Sequence, residues 1–435
     1  MKKNGTSTAP LVLALVVLIG VVGIMWKFDI GKNTAASAKE TSSESVTSQN
    51  VSDDEKGSSV QAAVISSDNG KESDSEEMLA VWVPYMSLSI ENDPSEDNFK
   101  EKFDNIVSVA KERRMNALIV QVRPFGDSMY MSDYFPFSHI LTGTQGENPG
   151  YDAMEYMVKK AHESGLEFHA WINPLRIKVS ETPSEISQYS PYSLWQNDGD
   201  ESNDRYTMEY DGGIYFNPSY EKVREYIIGS IKELVSRYDV DGVQFDDYFY
   251  PDESEEYDKE EYDSYASSLD DEDNAMSQSD WRTTNINSLI SGVYSAIKSV
   301  NSDVVFGISP QGNIDNDLKI GADVYTWGST DGYCDYLCPQ NYFSENNSAL
   351  SYNDAVDNWR KLVTNKNTKL YIGLGLYKAG SDADGGTWLD SDENIKSQIE
   401  YGRNAGADGF MFYSFDYLDS EQTEAEVENV MKYLQ

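Results

Sequence analysis

Short apolar segments alternate with helical patterns over residues 79–414, and this alternation limits the possible folds more than any other feature of the sequence. Eight segments have the length and apolar content of strands, at residues 79–83, 117–122, 167–172, 242–246, 304–309, 336–340, 370–376 and 409–414. Helical patterns separate most of them, at residues 99–114, 153–164, 220–238, 284–300, 353–364 and 391–405. Strands that alternate with helices form a parallel sheet, so eight such units predict an α/β fold, a closed (β/α)8 TIM barrel. The alternative, an open doubly wound sheet, lacks the Gly-rich phosphate-binding turn that is typical of it.

Polar residues occupy one face of several predicted strands. Side chains alternate between the two faces of a strand, so residues of the same parity point the same way. The polar set is Gln121 and Arg123 on the second strand, His169, Trp171 and Asn173 on the third, Gln244 and Asp246 on the fourth, and Gln340 and Tyr342 at the end of the sixth. The opposite parity is apolar, as in Val120, Ile172 and Val243. Because buried polar groups cost free energy unless they find partners, this convergence predicts a polar substrate at the C-terminal end of the barrel.

Two adjacent carboxylates, Asp246 and Asp247, end the fourth predicted strand and are followed by three aromatic residues. TIM-barrel enzymes carry their catalytic residues at this end of the strands, and a pair of carboxylates cleaves the glycosidic bond in most glycoside hydrolases. The alternative interpretation is a strand-to-loop turn in which Asp caps backbone amides. We interpret Asp246 as the general acid, with a pKa that is raised by burial or by Asp247.

The sequence leaves the second catalytic group open. Asp247 could serve, or it could supply the negative charge that stabilises an oxocarbenium-like state. The alternatives are Asp127, Glu345, Asp416 and an N-acetyl group of the substrate itself. Retaining, inverting and substrate-assisted mechanisms therefore all stay open.

The composition argues against several other functions. The chain carries 75 acidic and 34 basic residues, a net charge of −41, whereas nucleic-acid binding requires a basic surface. The three histidines, His139, His162 and His169, form no HExxH or other metal-ligand motif, and no GxSxG nucleophile elbow occurs. The acidic connection at residues 251–281 matches no Ca²⁺-loop motif and is interpreted as a surface loop or as a flap over the cleft. We therefore expect no metal and no cofactor.

The N-terminal region predicts export. Residues 9–26 form an apolar run of 18 residues that follows Lys2 and Lys3, which is near the minimum length of a membrane span. The alternative is a cleaved signal peptide, although the small-residue pattern at residues 36–38 lies well beyond the apolar run. Residues 31–77 are rich in Ser, Thr, Asp and Glu, as disordered linkers are. The predicted order is a cytoplasmic tip and membrane anchor at 1–30, a linker at 31–77 and an extracellular barrel at 78–435.

Several motifs resemble those of glycosyl-hydrolase-like family 10, a family of exported bacterial TIM-barrel proteins. They are QVRP at 121–124, HAWINP at 169–174 with Arg176, DG at 241–242 with DDYFYP at 246–251, WR at 281–282, GISP at 307–310, and PQ at 339–340 with Tyr342. The resemblance runs from about residue 79 to residue 413. It implies a glycoside hydrolase fold and, as substrate, a bacterial cell-envelope glycan such as peptidoglycan strands.

Two other families show where the chain departs from related patterns. The DG motif and the acids after it also resemble the fourth-strand motif of family 18 chitinases, but Tyr248 stands where those enzymes have a terminal Glu. Relative to retaining family 10 xylanases, the seventh predicted strand ends without a carboxylate.

The resemblance and the strand ends together predict a polysaccharide-binding cleft. The residues expected to bind substrate hydroxyl, acetamido or carboxylate groups are Arg123, Asn173, Arg176 and Gln340. The aromatic platforms expected for sugar rings are Trp171, Trp327, Tyr248 and Tyr342. The alternative function is a non-catalytic binding module for wall glycans on a hydrolase fold.

We expect the N-terminal apolar run to stay attached to the mature protein. If residues 9–26 anchor the chain, protein recovered from the membrane fraction should still carry Lys2 and Lys3, because a membrane span is not removed on export. N-terminal sequencing of that fraction measures this. A sequence that starts near residue 39 would show a cleaved signal peptide instead of an anchor.

Overall fold

Eight parallel strands close into a barrel in the computed structural model, which describes residues 77–435. In chain order, the strands of this part are β1 (Met78–Val83), β2 (Ala117–Arg123), β3 (Glu167–Ile172), β4 (Arg176–Lys178), β5 (Thr207–Tyr210), β6 (Gly213–Phe216), β7 (Gly242–Phe245), β8 (Val305–Ile308), β9 (Tyr336–Leu337), β10 (Lys369–Leu374) and β11 (Gly409–Phe412). The barrel order is β1-β11-β10-β9-β8-β7-β3-β2, and each neighbouring pair is parallel. Each predicted strand overlaps one barrel strand, which confirms the TIM barrel.

Helices surround the barrel. They are α1 (Tyr85–Leu88), α2 (Glu96–Glu112), α3 (Ala153–Glu163), α4 (Pro191–Asn197), α5 (Glu221–Arg237), α6 (Lys259–Ser267), α7 (Gln278–Val300), α8 (Ile314–Lys319), α9 (Val324–Ser329), α10 (Tyr352–Leu362), α11 (Asn394–Ala405) and α12 (Glu424–Tyr433). Several begin where a side chain caps a backbone N–H, as Ser95 does for Asn98 (3.2 Å) and Ser277 for Asp280 (3.1 Å). The six predicted helical patterns correspond to α2, α3, α5, α7, α10 and α11.

The predicted membrane anchor, and the predicted linker except for its last residue, lie outside the described residues. Within residues 77–435, no helix combines the length and the apolar character that crossing a membrane requires.

The two faces of the barrel strands form two separate clusters. Outward-facing residues such as Val81, Val120 and Phe245 pack against the helices. Inward-facing residues fill the lumen: Trp82, Ile119, Trp171, Tyr336 and Met411. Polar side chains inside the lumen are paired, since Trp82 Nε1 donates to Gln244 Oε1 (2.6 Å) and Gln244 Nε2 donates to the Tyr336 hydroxyl (3.2 Å). This alternation is the one that the sequence pattern predicts.

Arg123 departs from the predicted alternation. The register between β2 and β3 shifts, so that Gln121 lies opposite Trp171 but Arg123 lies opposite Ile172, an outward-facing residue. A one-residue shift moves a side chain to the other face of a strand. Arg123 is therefore fully buried outside the lumen, where its guanidinium lies 4.6 Å from the ring centroid of Phe135. This placement corrects the expectation that Arg123 binds substrate.

A small antiparallel sheet, in the order β4-β6-β5, follows the end of β3. The sequence patterns did not predict it, because its three strands are only three or four residues long. Phe216, the last residue of β6, packs against Phe135 and Trp195. Its carbonyl accepts a hydrogen bond from the Tyr257 hydroxyl (3.4 Å), which links the small sheet to the acidic connection.

The acidic connection at residues 251–281 is anchored rather than freely solvated. It contains α6, and fully buried Asp258 forms an ion pair with buried Arg282, with 2.6 Å between Arg282 Nη2 and Asp258 Oδ1. Glu261 pairs in the same way with Arg205, with 2.5 Å between Nε and Oε1. Because buried carboxylates need such partners, the expectation of a surface loop is corrected for these residues.

Replacing Arg282 by Met should destabilise the protein. The change leaves the Asp258 carboxylate buried and without its cation, a defect that typically costs about 3–5 kcal/mol. Urea unfolding measures the loss. The control is Glu260→Gln, since Glu260 is 76% exposed and lies 3.6 Å from Arg205, and exposed pairs contribute about 0–1 kcal/mol. Equal stability of the two variants would contradict the anchoring role.

Candidate active site

Asp246 and Asp247 lie where β7 ends, at the C-terminal end of the barrel, which we call the mouth. Asp246 follows the inward parity of Gln244 and is only 3% exposed, while Asp247 is half-buried. The strand places Asp246 over the lumen because successive inward residues are two positions apart. A nearly buried carboxyl group therefore lies beside a more accessible one.

Hydrogen bonds from neighbouring strands hold the two carboxyl groups in place. Oδ2 of Asp246 accepts from the Asn173 amide and from Trp171 Nε1 (3.2 Å), while Oδ1 accepts from the Tyr248 backbone N–H (3.3 Å). Oδ1 of Asp247 accepts from Gln340 Nε2 (2.7 Å). The structure thus brings together residues that the sequence had assigned to three different strand ends, namely Asp246, Asp247, Asn173, Trp171 and Gln340.

The surroundings of the pair favour a bound proton. Burial, and then the negative charge of Asp247, raise the pKa of Asp246 to about 7, while Arg176 and the hydrogen bonds from Trp171 and Tyr248 act in the opposite direction. Burial also raises the pKa of Asp247, against the hydrogen bond from Gln340 and the charge of Arg176. A carboxyl group that holds its proton near neutral pH is suited to general acid catalysis.

Arg176 supplies positive charge near the pair. It begins β4, and its Nε donates to the Pro124 carbonyl (2.7 Å). Its guanidinium lies 5.1 Å from the Phe125 ring centroid and 5.0 Å from that of Tyr248, which is 43% exposed. These two cation–π contacts place Arg176 and Tyr248 at the mouth, beside the carboxyl pair.

A cluster of aromatic residues packs around the ends of the barrel strands at the mouth. Tyr342 stacks on Tyr413 with ring centroids 5.6 Å apart, and it lies 5.8 Å from Tyr377. Trp171 and Trp82 both approach Tyr413, at 6.5 and 6.0 Å. The sequence-based prediction did not include Trp82, Tyr377 or Tyr413. Three signals could have identified them: the inward parity of Trp82 on β1, the position of Tyr413 directly after β11, and the position of Tyr377 three residues after β10.

The structure does not bring Trp327 to the mouth. Trp327 lies on α9, is fully buried, and donates from its indole N–H to Asn287 Oδ1 (2.7 Å). Its ring packs 5.4 Å from Phe249. Because a sugar platform must present an accessible face, this burial corrects the expectation for Trp327.

The candidates for the second catalytic group differ in their burial and in their position relative to Asp246. Asp127 is fully buried, and its Oδ2 accepts from Gln145 (2.9 Å) and lies 3.2 Å from His139 Nδ1. Asp416 is exposed and accepts from the Ser87 hydroxyl (2.8 Å), and Glu345 is exposed as well. Asp247 directly follows Asp246 and is half-buried at the mouth.

The residues that the structure describes, 77–435, contain no group of three or more His, Cys, Asp or Glu side chains arranged to hold a metal ion.

Comparison with known proteins places these features in a family. A family described as glycosyl hydrolase-like 10 matches residues 77–389. The chain is 32% identical over 345 residues to glycosyl hydrolase YngK of Bacillus subtilis (strain 168), which covers 74% of this chain and 64% of that protein. It is 31% identical over 381 residues to glycosyl hydrolase DigH of Escherichia coli (strain K12), which covers 80% of this chain and 82% of that protein. The chain thus spans less than two thirds of the Bacillus relative.

Two solved structures share the fold. The glycoside hydrolase domain of PgaB (BpsB) from Bordetella bronchiseptica matches 82% of this chain and 98% of its own, with a TM-score of 0.53 and 14% identity. Alpha-L-fucosidase isoenzyme 2 from Paenibacillus thiaminolyticus matches 82% of this chain and 49% of its own, with a TM-score of 0.50 and 12% identity. At these identities the likeness concerns the barrel alone.

Replacing Asp246 by Asn should stabilise the protein increasingly as pH rises. The pKa of Asp246 in the folded state, about 7, lies above its ordinary value of 3.8, so between these pH values the folded state binds more protons than the unfolded one. The free energy of unfolding of the wild type then falls as pH rises through this window. Asn has no titrating proton, so the free energy of unfolding of the Asp246→Asn variant does not fall for this reason.

Urea unfolding of both proteins, from about pH 4 to about pH 8, measures the difference. Asp239→Asn is the matched control, because Asp239 is exposed and precedes β7 at the opposite end of the barrel. If the difference between Asp246→Asn and the wild type does not change with pH, Asp246 does not hold its proton to neutral pH.

Proposed function

Because the chain belongs to the glycosyl hydrolase-like 10 family, we propose that it is a glycoside hydrolase that cleaves a polysaccharide at the mouth of the barrel. The observation that carries this proposal is the carboxyl pair at the end of β7, in which burial and the half-buried Asp247 raise the pKa of Asp246 to about 7. Such a group can hold a proton at neutral pH and release it to a leaving group. Tyr248, which is 43% exposed, and the half-buried Tyr377 and Tyr413 offer ring faces for sugars.

In the proposed mechanism, Asp246 is the general acid. Its proton moves to the glycosidic oxygen as the bond between that oxygen and the anomeric carbon breaks. The negative charge of Asp247 stabilises the oxocarbenium-like state that develops on the sugar. A water molecule then adds to the anomeric carbon and returns a proton to Asp246, so that acid and enzyme are restored.

The proposed substrate is a bacterial cell-envelope glycan such as peptidoglycan strands. Two observations support it. The apolar run at residues 9–26 after Lys2 and Lys3 would tether the barrel outside the membrane. The half-buried Arg176, held between Phe125 and Tyr248, offers a cation to the carboxylate or acetamido groups of such glycans.

Asp246→Asn should abolish cleavage while the fold is kept. Asn has the shape of Asp but cannot donate the acidic proton, and general acid catalysis contributes about 10²–10⁴-fold. The full-length protein is incubated with purified wall glycans, and new reducing ends are counted. Asp247→Asn should be severely impaired as well, because the charge that stabilises the sugar cation is lost. Asp239→Asn, which changes an exposed Asp at the other end of the barrel, should match the wild type.

Two outcomes would overturn this proposal in different ways. If the wild type releases no reducing ends but all variants still bind glycan in a pull-down, the protein is a binding module on a hydrolase fold. If Asp246→Asn cleaves as fast as the wild type, the protein is a hydrolase whose acid is another residue. Substrates with and without N-acetyl groups then separate Asp247 from a substrate acetamide as the second group.

A further inference from the structure

A chain of hydrogen bonds runs from the backbone of Tyr85 to Asp246, and each step has a fixed direction. The Tyr85 N–H donates to Gln121 Oε1 (3.0 Å). A backbone N–H can only donate, so the oxygen of the Gln121 amide faces Tyr85 and its nitrogen faces away. That nitrogen, Nε2, donates to Asn173 Oδ1 (2.7 Å). The orientation of the first amide is therefore set by the main chain, two residues after β1 ends.

The second amide takes its orientation from the first. Since Asn173 Oδ1 accepts from Gln121, the amino group of Asn173 must face Asp246, and it donates to Oδ2 of that carboxyl group. Trp171 Nε1, which can only donate, reaches the same oxygen at 3.2 Å. Both donors are buried, as are Gln121 and Asp246, so water has little access with which to replace a lost donor.

This geometry decides which oxygen of Asp246 can carry a proton. Oδ2 faces two N–H donors, and a proton placed there would point at one of them. Oδ1 accepts one longer bond, from the Tyr248 N–H at 3.3 Å. The acidic proton therefore belongs on Oδ1. When it leaves for the glycosidic oxygen, the charge that remains on the carboxylate is stabilised by the donors on Oδ2.

We propose that Gln121 is a positioning residue, which acts through Asn173 to keep the acidic proton of Asp246 on Oδ1. This inference rests on the proposed function and deepens it, since Gln121 is not among the residues that would touch the substrate. Gln340 positions the carboxyl group of Asp247 in a similar way. Its Nε2 donates to the Ser309 carbonyl (3.1 Å) as well as to Asp247 Oδ1, and a carbonyl can only accept, so this amide is oriented by the main chain too.

Gln121→Glu tests the proposal because it reverses the chain while keeping the shape of the side chain. An ionised Glu at this position accepts from the Tyr85 N–H with one oxygen and demands a donor at the other. The Asn173 amide must then turn, so that its oxygen faces Asp246 Oδ2. That arrangement is satisfied only when the proton of Asp246 moves to Oδ2, away from the substrate.

The expected result is a change in the pH profile together with a loss of turnover. The acid form of Asp246 gains a partner, the ionised form loses one, and the carboxylate at position 121 adds a negative charge nearby. All three effects raise the pKa of Asp246, so the alkaline limb of the kcat/KM profile should move up by about one pH unit. The proton is then on the wrong oxygen, so kcat should fall about 10²-fold. KM should change little, because Gln121 is only 3% exposed and lies behind Asn173.

Gln121→Met is the matched variant, with similar length and no polar group to impose an orientation. It should lower kcat less than Gln121→Glu and leave the alkaline limb in place. The added charge of Gln121→Glu moves the alkaline limb even if Gln121 only packs, so the loss of kcat decides. If both variants lose activity only in proportion to their stability in urea, Gln121 has only a packing role and the inference is wrong. That result differs from failure of the proposed function, in which the wild type releases no reducing ends, and from failure of the assigned acid, in which Asp246→Asn cleaves as fast as the wild type.

Discussion

The site depends on a carboxyl group that is almost fully buried at the end of a barrel strand. An ionised carboxylate in such a place is costly unless donors surround it, and Asp247 adds a second negative charge next to it. The donors from Trp171, Asn173 and the Tyr248 backbone offset part of this cost, and the charge of Arg176 offsets another part. The balance leaves the pKa of Asp246 near neutrality, where a proton can be both held and released.

The barrel makes this arrangement possible because it brings together residues that are far apart in the sequence. Gln121 comes from β2, Asn173 follows β3, Asp246 follows β7 and Gln340 follows β9. All four strands are parallel, so their C-terminal ends meet at one mouth. The polar groups there satisfy one another before any substrate arrives, which is what a preorganised site requires. Without these hydrogen bonds, the same buried polar groups would destabilise the barrel.

Much of this architecture could be predicted from the sequence. The apolar runs locate all eight barrel strands, because a strand buried on both faces is apolar nearly throughout. Parity then places Gln121, Trp171 and Asp246 over the lumen, since the period of a strand is two residues. The adjacent pair Asp246 and Asp247, at the end of the fourth predicted strand, predicts a candidate site at that end of the barrel. Each of these features depends only on residues that are close together in the sequence, so it can be recognised before the fold is known.

What the sequence does not predict arises from tertiary packing. The shift between β2 and β3 that turns Arg123 out of the lumen leaves no mark on the alternation of residues. The burial of Trp327 depends on how α9 meets Asn287 and Phe249. Asp258, which pairs with Arg282 of α7, lies within a segment whose composition is that of a solvated loop. In each case the deciding partner is a residue whose proximity only the folded chain reveals.

The proposed catalysis depends on Asp246 as the residue that protonates the glycosidic oxygen. A crystal structure of the Asp246→Asn variant with a bound wall-glycan oligosaccharide would show whether it does, because the variant should bind the glycan without cleaving it. We expect a glycosidic oxygen within hydrogen-bond distance of the side chain at position 246, about 2.6–3.2 Å, with sugar rings against Tyr248 or the Tyr342 and Tyr413 stack. A glycan that occupies the mouth with its glycosidic oxygens beside another carboxyl group, and out of reach of position 246, would contradict it.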